Sequence, residues 1–280
     1  MSYKVLLKLN KLFKLPVHPF NLQNDGVKTY AMWQYEKGAD TIKFYTEKYS
    51  ADEMFKDKII LDIGCGAGGK TMYYASLGAA KVIGMDIVEH YKADSEKLAK
   101  DLGLLDKFTF ICCDAAKTSL DDNSIDTIIM NDAMEHVDKP EEVLLECQRI
   151  LKPGGRLYVN FPPYGHPYGA HLSDLIGMPW VQLFFSDKDM IDAYKELAKI
   201  VPDGEERIKF RISRKSTGEE YFSYINKMTL KRFKRIKENA SLDIAYYKEV
   251  PLRSFLAPLA KLPLFKEYFV KMAVCVFEKH

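Results

Sequence analysis

Acidic and glycine residues meet at the end of an apolar run in a pattern that can bind a nucleotide. Residues 59–70 read Ile-Ile-Leu-Asp-Ile-Gly-Cys-Gly-Ala-Gly-Gly-Lys. Three glycines match the motif G-x-G-x-x-G: Gly64, Gly66 and Gly69. Glycine permits a tight turn and lets a ligand lie against bare backbone, and Asp86 follows Gly64 at the spacing of a dinucleotide fingerprint. On these four residues alone, NAD stays open as the ligand.

Three polar features shift the prediction from NAD to S-adenosylmethionine. Asp62 lies two residues before Gly64, where a carboxylate repels a pyrophosphate and attracts an ammonium group. S-adenosylmethionine carries that ammonium, a sulfonium and no phosphate. Asp114 ends the third predicted strand, where it can accept a hydrogen bond from an adenine amino group while the Ala115 N–H donates to the ring. The fourth strand ends in the polar cluster 131–136, at the edge where open α/β sheets bind ligands.

The elements that hold these residues follow from apolar runs and helical periods. Strands are predicted at 58–63, 81–86, 107–113, 125–131 and 155–161, and later at 242–248 and 269–277. Helices are predicted at 68–77, 89–103, 140–152 and 230–239, and a helical pattern also runs from Gly26 to about Tyr49. Strands that alternate with helices indicate a parallel, doubly wound α/β sheet.

Five blocks that carry these features occur in order over about residues 55–162. They are 61–68, 84–87, 113–115, 126–131 with 135–137, and 151–157. Together they resemble the class I S-adenosylmethionine-dependent methyltransferases, most closely the small-molecule branch that includes ubiquinone and menaquinone methyltransferases. The resemblance implies a Rossmann-like seven-stranded doubly wound sheet whose last strand is antiparallel. We expect a helical or irregular cap to be inserted after the fifth strand.

The resemblance also implies roles for the glycine loop and the end of the second strand. Gly64, Cys65 and Gly66 would cradle the methionine and ribose part of the cofactor. Asp86 would bind both ribose hydroxyls, with Ile87 against the adenine. The cofactor predicted in this way is S-adenosyl-L-methionine.

Two further strand ends complete the implied cofactor site. Asp114 and Ala115 would bind the adenine edge. The Asn131 backbone would hold the methionine amino group, with Asp62 nearby.

Substrate choice in such folds depends on insertions, and the largest one spans 162–228. It begins with a loop stiffened by glycine and proline and continues into an apolar wall. The candidate substrate residues there are Tyr164, Tyr168 and Trp180. Tyr30 and Trp33, on the N-terminal helical segment, are expected to close the other side as a lid.

Three histidines are candidate catalytic bases. A hydroxyl nucleophile needs a base, for which the order of preference is His166, His171 and His136. For His136, the favoured interpretation is an anchor of its loop, with the base as the alternative. His166 and His171 are close in sequence, but no carboxylate or third histidine lies beside them in the chain. No metal site is therefore predicted.

Composition limits the class of protein. The 280 residues include 41 Lys and Arg and 39 Asp and Glu, so no whole-protein field demands a polyanionic partner. The five cysteines lack metal-ligand spacing and are expected to be reduced thiols of a cytoplasmic protein. No signal peptide is recognised, and no apolar run approaches the ~20 residues of a membrane span.

The chain divides into four expected regions: an N-terminal arm and lid helix (1–50), a cofactor-binding core (51–162), a substrate cap (163–228), and a C-terminal helix and strands that complete the sheet (229–280). Within the first region, residues 1–26 are expected to be irregular.

The predicted function is O- or C-methylation of a small or lipid-like organic molecule. An RNA methyltransferase is an alternative, because 205–237 holds eleven Lys or Arg against four Asp or Glu, although a solvated helix face is the favoured interpretation. A non-catalytic cofactor-binding protein is a second alternative. The apolar run 251–269 is expected to pack in the core, with peripheral membrane contact left open. The sequence leaves the oligomeric state undetermined.

Overall fold

The computed structural model describes residues 2–18, 21 and 29–280, and its centre is one seven-stranded sheet. The sheet strands are β1 (Ile59–Ile63), β2 (Lys81–Asp86), β3 (Phe108–Cys112), β4 (Ile125–Asn131), β5 (Leu151–Phe161), β8 (Asp243–Pro251) and β9 (Val270–Glu278). Their spatial order is β3-β2-β1-β4-β5-β9-β8. The last strand, β9, is antiparallel to both of its neighbours. The predicted fold class is therefore confirmed.

Helices cover the two faces of this sheet. They are α1 (Tyr3–Asn10), α2 (Tyr30–Glu36), α3 (Gly38–Ile42), α4 (Ala51–Phe55), α5 (Gly69–Ser76), α6 (Tyr91–Asp101), α7 (Pro140–Ile150), α8 (Val181–Phe184), α9 (Asp187–Ala198), α10 (Gly204–Arg211), α11 (Leu230–Asn239), α12 (Ala257–Lys261) and α13 (Lys266–Phe269). Neighbouring strand residues point to opposite faces, so Ile60 packs with α5 and α6 whereas Leu61 packs with α7 and α11. Both strand faces are buried, as a doubly wound sheet requires.

Most predicted boundaries agree closely with the structure, and the differences have local causes. The helix expected at 140–152 ends at Ile150, and the following strand begins at Leu151 rather than at 155. The helix predicted at 230–239 is α11, and Thr229 caps it, because its side chain accepts a hydrogen bond from the Arg232 N–H at 3.0 Å. The long helical pattern from Gly26 is divided into α2 and α3, and part of that pattern lies outside the described residues.

The expectation of an irregular segment over 1–26 is wrong for its first part. Residues Tyr3–Asn10 form α1, and Leu6 is completely buried. Leu6 packs in one cluster with cap residues such as Leu172 and Tyr194. The apolar face of α1 therefore finds its partner in a distant part of the chain, which local sequence patterns do not show.

The cap after β5 contains α8, α9, α10 and a small hairpin of β6 (Ile212–Arg214) and β7 (Glu220–Phe222). At its centre the carboxylate of Asp174 is fully buried between two buried guanidinium groups. Arg207 lies 3.2 Å and Arg211 lies 3.0 Å from its oxygens. Two arginines of the basic segment are therefore part of the cap interior, so the interpretation of this whole segment as a solvated face is wrong.

The apolar run 251–269 does not pack in the core as expected. Phe255 is 77% exposed and Leu264 is 83% exposed. Within the described ranges 2–18, 21 and 29–280, no helix combines the length and hydropathy that crossing a membrane requires.

Candidate functional site

The glycine loop connects β1 to α5 at the carboxyl edge of the sheet. Gly64 has a φ of 73°, and a Cβ atom there would lie 2.8 Å from the Cβ of Ala133. Gly64 and Cys65 both donate backbone hydrogen bonds to the Met85 carbonyl, at 2.8 and 3.0 Å. The loop is thus held against the end of β2, and its glycine surface is free of side chains where a ligand approaches.

Asp86 at the end of β2 is oriented by backbone donors. One carboxylate oxygen accepts from the Gly66 N–H at 2.8 Å and the other from the Val88 N–H at 3.0 Å. Burial raises its pKa, and these bonds oppose that rise. Because each oxygen keeps a further lone pair, this fixed carboxylate can still accept from two ribose hydroxyls. Next to it Ile87 is 74% exposed and offers an apolar surface to a base.

Asp62 and Cys65 lie beneath the loop rather than on its surface. The Asp62 carboxylate is buried and accepts a hydrogen bond from the Thr71 hydroxyl at 2.6 Å. Burial raises the pKa of Asp62 to about 6 and raises that of the Cys65 thiol well above its usual range. The hydrogen bond between Asp62 and Thr71 therefore connects β1 to α5.

Of the remaining predicted cofactor residues, Asp114 has an exposed side chain, whereas the Asn131 side chain is buried and hydrogen-bonded. Asp114 is exposed, and its carboxylate accepts from the Ala116 N–H at 2.9 Å, with Ala115 half-buried between them. The Asn131 side chain is buried, and its oxygen accepts from the Tyr45 hydroxyl at 2.6 Å and from Asn160 at 2.7 Å. The Asn131 side chain is therefore engaged within the protein, and the role of its backbone toward a ligand stays a prediction.

Helix α2 packs directly on the glycine loop. A Cβ atom on Gly69 would lie 2.1 Å from the Ala31 carbonyl oxygen, so only glycine permits this approach. The Tyr30 hydroxyl accepts from the Gln34 side chain at 2.9 Å, and the Tyr30 and Trp33 rings stack 6.3 Å apart. Burial and the nearby Asp86 raise the pKa of Tyr30. Tyr30 and Trp33 therefore lie on the glycine-loop side of the site.

A cavity of about 230 Å³, here called the cap cavity, opens between the cap and the carboxyl edge of the sheet. It is lined by His18, Pro162, His166, Tyr168, His171, Ser173, Arg211 and Tyr224. His166 is oriented by the backbone, because its Nδ1 accepts from the Tyr168 N–H at 3.1 Å. Burial lowers the pKa of His166 to about 4, so the ring is neutral at pH 7 and, because Nδ1 accepts, its proton lies on Nε2.

His136 and His171 meet although they lie far apart in sequence. Their rings are 5.0 Å apart and perpendicular. Burial lowers the pKa of His136 to about 4 and that of His171 well below its usual range. The expectation that no carboxylate or third histidine lies close to His166 and His171 is wrong for His171, because Glu135 Oε1 lies 3.8 Å from Nε2 of both His171 and His136.

Two predicted substrate residues point elsewhere. Trp180 donates from Nε1 to the Tyr268 carbonyl at 3.4 Å and packs against Phe269. Tyr164 lies beneath Lys227, whose Nζ is 5.6 Å from the ring centre. Among the residues that the structure describes, Tyr168 is the one predicted substrate tyrosine that lines the cap cavity.

Sequence reasoning missed Glu135, Arg211, Tyr224 and His18 as site residues. Glu135 had a signal, since it immediately precedes His136 in the block after β4. Arg211 was counted only as part of a basic segment, and nothing near Tyr224 or His18 in sequence distinguishes them. The cavity that His18, Arg211 and Tyr224 line arises from tertiary contacts alone.

Comparisons with known proteins agree with this geometry. A family model described as a methyltransferase domain matches residues 61–159. The sterol 24-C-methyltransferase ERG6B of Gibberella zeae is 36% identical over 96 residues, which are 34% of this chain and 25% of that protein. A probable chloroplastic tocopherol O-methyltransferase of Oryza sativa subsp. japonica is 29% identical over 104 residues, which are 37% of this chain and 29% of that protein. The matched part thus spans about a quarter of the length of these curated relatives.

Among solved structures, the geranyl diphosphate C-methyltransferase of Streptomyces coelicolor superposes with a TM-score of 0.53 and 14% identity. The match covers 89% of this chain and 78% of that one, which was solved with Mg²⁺, geranyl diphosphate and S-adenosyl-L-homocysteine. Likeness at this level concerns the fold. The family match is what identifies residues 61–159 as a class I S-adenosylmethionine-dependent methyltransferase domain. The cofactor of that domain is S-adenosylmethionine.

Proposed function

We propose that the protein transfers a methyl group from S-adenosylmethionine to a small or lipid-like organic molecule, on oxygen or on carbon. The observation that carries this proposal is the position of the cap cavity. Pro162 lines the cavity and directly follows β5, so the cavity opens at the carboxyl edge of the sheet, where the glycine loop follows β1. Its histidine and tyrosine lining suits an organic acceptor with a polar reacting group.

Residues at the glycine loop and the strand ends would bind the cofactor, and residues of the cap would bind the acceptor. Gly64, Gly66 and Asp86 would hold the ribose and methionine part, while Asp114 and Ala115 would contact the adenine. The bound cofactor supplies an activated sulfonium methyl group, so the protein needs mainly to align the acceptor and exclude water. Of the predicted bases, His166 and His171 line the cap cavity. The lone pair of His166 Nδ1 already accepts from the Tyr168 N–H, so this ring receives the acceptor's proton only if that bond breaks.

The test is labelled-methyl transfer into a cell extract, followed by identification of the labelled product by mass spectrometry. We expect a small or lipid-like product and calorimetric binding of S-adenosylmethionine without binding of NAD. Binding of NAD alone would refute the cofactor assignment. Cofactor binding without transfer to any extract component would instead support a non-catalytic binding protein.

The structure gives less support to RNA as substrate than the sequence does. Arg207 and Arg211 are buried with Asp174, and Arg214 pairs with Glu220 at 3.0 Å. Lys215 pairs with Glu219 at 2.8 Å. A labelled macromolecular product whose yield falls steeply with salt, and falls again in a Lys231→Glu, Lys234→Glu variant, would reinstate the RNA alternative.

A peripheral membrane contact fits a lipid-like acceptor, and we include it in the proposal. Phe255, Leu264 and Phe265 are 77%, 83% and 46% exposed, and Lys261 is exposed beside them. Apolar side chains with flanking lysines suit an anionic membrane surface. Phe255→Ser with Leu264→Ser should reduce sedimentation with anionic vesicles, while Leu145→Ser, on another exposed surface, should not. We propose a cytoplasmic location, to which the five free cysteines are suited.

A further inference from the structure

Glu135 is the most unusual polar residue of the site. It follows β4, is 3% exposed, and has no hydrogen-bond partner for either carboxylate oxygen among the described residues. A buried carboxylate without partners is costly, since it has lost its water and gained nothing in exchange. Some group outside the described structure must therefore satisfy it, and its surroundings indicate which group.

The nearest polar atoms are two imidazole nitrogens. Glu135 Oε1 lies 3.8 Å from Nε2 of His136 and 3.8 Å from Nε2 of His171. These distances are too long for hydrogen bonds. One carboxylate oxygen and one nitrogen of each ring all lie within 4.8 Å of one another. A tetrahedral metal with bonds of about 2.1 Å would place such atoms about 3.4 Å apart, so small side-chain movements would close the set around an ion.

His136 is oriented so that its Nε2 can bind a cation, and the backbone of His171 is fixed beside it. Nδ1 of His136 lies 2.7 Å from the Tyr224 carbonyl oxygen, which can only accept, so Nδ1 carries the proton and Nε2 carries a lone pair. A backbone carbonyl that fixes the second nitrogen is the usual support of a metal-binding histidine. His171 has a φ of 54°, and its carbonyl accepts from Arg211 Nε at 3.1 Å, which fixes its backbone.

The charges around the cluster allow a further cation. Arg211 approaches it, but the Asp174 carboxylate lies 3.0 Å from this guanidinium. Lys70 also approaches, and its ammonium pairs with Asp132 at 3.0 Å. Both neighbouring positive groups are therefore paired with carboxylates.

We propose that Glu135, His136 and His171 bind one divalent transition-metal ion. Two imidazoles and one carboxylate form the donor set of zinc and of ferrous iron in three-ligand sites with open positions. His171 lines the cap cavity, so the open positions face the space assigned to the acceptor. An oxygen of the acceptor, such as a hydroxyl or a phenolic oxygen, then completes the coordination. This second part rests on the proposed methyl transfer, whereas the metal site does not.

The experiment measures metal binding without any methyl transfer. The full chain is stripped with a chelator and titrated with Zn²⁺ against a chromophoric competitor, and Co²⁺ is substituted for its absorption spectrum. We expect one Zn²⁺ per chain and Co²⁺ bands of a four- or five-coordinate site. Glu135→Gln and His171→Ala should each weaken Zn²⁺ binding at least 100-fold. The matched control, His280→Ala, removes an exposed histidine elsewhere and should leave binding unchanged.

Three outcomes would overturn the metal site. The first is no Zn²⁺ binding by the wild type, and the second is Zn²⁺ binding by Glu135→Gln and His171→Ala that equals that of the His280→Ala control. The third is a six-coordinate Co²⁺ spectrum without nitrogen ligands. If Glu135→Gln does not fold, X-ray absorption of the wild-type Zn²⁺ protein decides, because two imidazoles must appear in the first coordination shell. A chain that binds Zn²⁺ but transfers no methyl group keeps the metal site and rejects the proposed function. Methyl transfer that is unaffected by chelation keeps the function and rejects the acceptor's coordination.

Discussion

The cofactor half and the cap half of this site are built in different ways. On the cofactor side, Gly64, Gly66 and Asp86 come from one short stretch of sequence, and they are held by backbone N–H donors, from Gly64 to the Met85 carbonyl and from Gly66 to the Asp86 carboxylate. On the cap side, Glu135, His171 and Tyr224 come from separate parts of the chain and act through side chains or one carbonyl. A site made of consecutive backbone is visible in a sequence, whereas a site made of distant side chains is not.

The two halves also differ in how their main carboxylates are bound and how far each is buried. Asp86 is held by two backbone N–H donors and remains half exposed. Asp174 is fully buried and shared by two arginines. The first arrangement keeps a carboxylate ready for a ligand, and the second uses a carboxylate to hold the cap together. Four substitutions test this contrast.

The largest effect is expected at the buried ion cluster of the cap. Asp174→Ala leaves two buried guanidinium groups without this shared carboxylate and should lower the free energy of unfolding by about 4 kcal/mol. Thermal or urea unfolding followed by circular dichroism measures it. Glu196→Ala removes the exposed partner of Lys199 and should cost less than about 1 kcal/mol. Equal losses in both variants would contradict the distinction between buried and exposed pairs.

On the cofactor side, the expected effect is on binding rather than stability. Asp86→Ala removes the proposed ribose acceptor and should weaken S-adenosylmethionine binding by about 3 kcal/mol, a factor of about 100 in Kd. Isothermal titration calorimetry measures the change. Asp94→Ala alters an exposed acid on α6 and should leave Kd unchanged. Unchanged affinity in Asp86→Ala would mean that the ribose assignment is wrong.

Asp62 should give a pH-dependent effect. Its folded pKa of about 6 lies above the ordinary value of 3.8, so ionisation is disfavoured in the fold. The stability that this group confers is therefore present below about pH 4 and is lost as the pH rises through 6. Asp62→Asn should gain stability relative to wild type between pH 5 and pH 8, by about 3 kcal/mol at most. A stability difference independent of pH would show that Asp62 does not titrate in this range.

The smallest effect concerns the cap aromatics. Tyr168 lines the cavity and Trp180 packs against Phe269, so Tyr168→Ala should raise the KM for the acceptor about tenfold, the equivalent of about 1.4 kcal/mol. Trp180→Ala should leave KM near the wild-type value and lower the melting temperature instead. Steady-state kinetics with the product identified from extract provide the measurement. A raised KM in Trp180→Ala with an unchanged KM in Tyr168→Ala would instead indicate that Trp180 contacts the acceptor.

Local patterns predicted the sheet well because each strand is apolar over its own length and ends in a polar or glycine residue. The β1 run 59–63 and the stop at Gly64 needed no knowledge of the rest of the chain. The position of α1 could not be predicted, because Leu6 is buried by residues from a separate part of the chain. Arg207 and Arg211 were misread for the same reason, since only their contact with Asp174 distinguishes them from surface arginines.

The position of β9 between β5 and β8 has a consequence for how the protein is made on the ribosome. Until residues 270–278 have left the exit tunnel, β5 is an open sheet edge and β8 has no partner in the sheet. Every strand of the cofactor half is already synthesised by then, yet the sheet cannot close. The nascent chain therefore passes through a stage with an exposed edge beside an apolar core, and this stage is where a chaperone would act and where aggregation would begin.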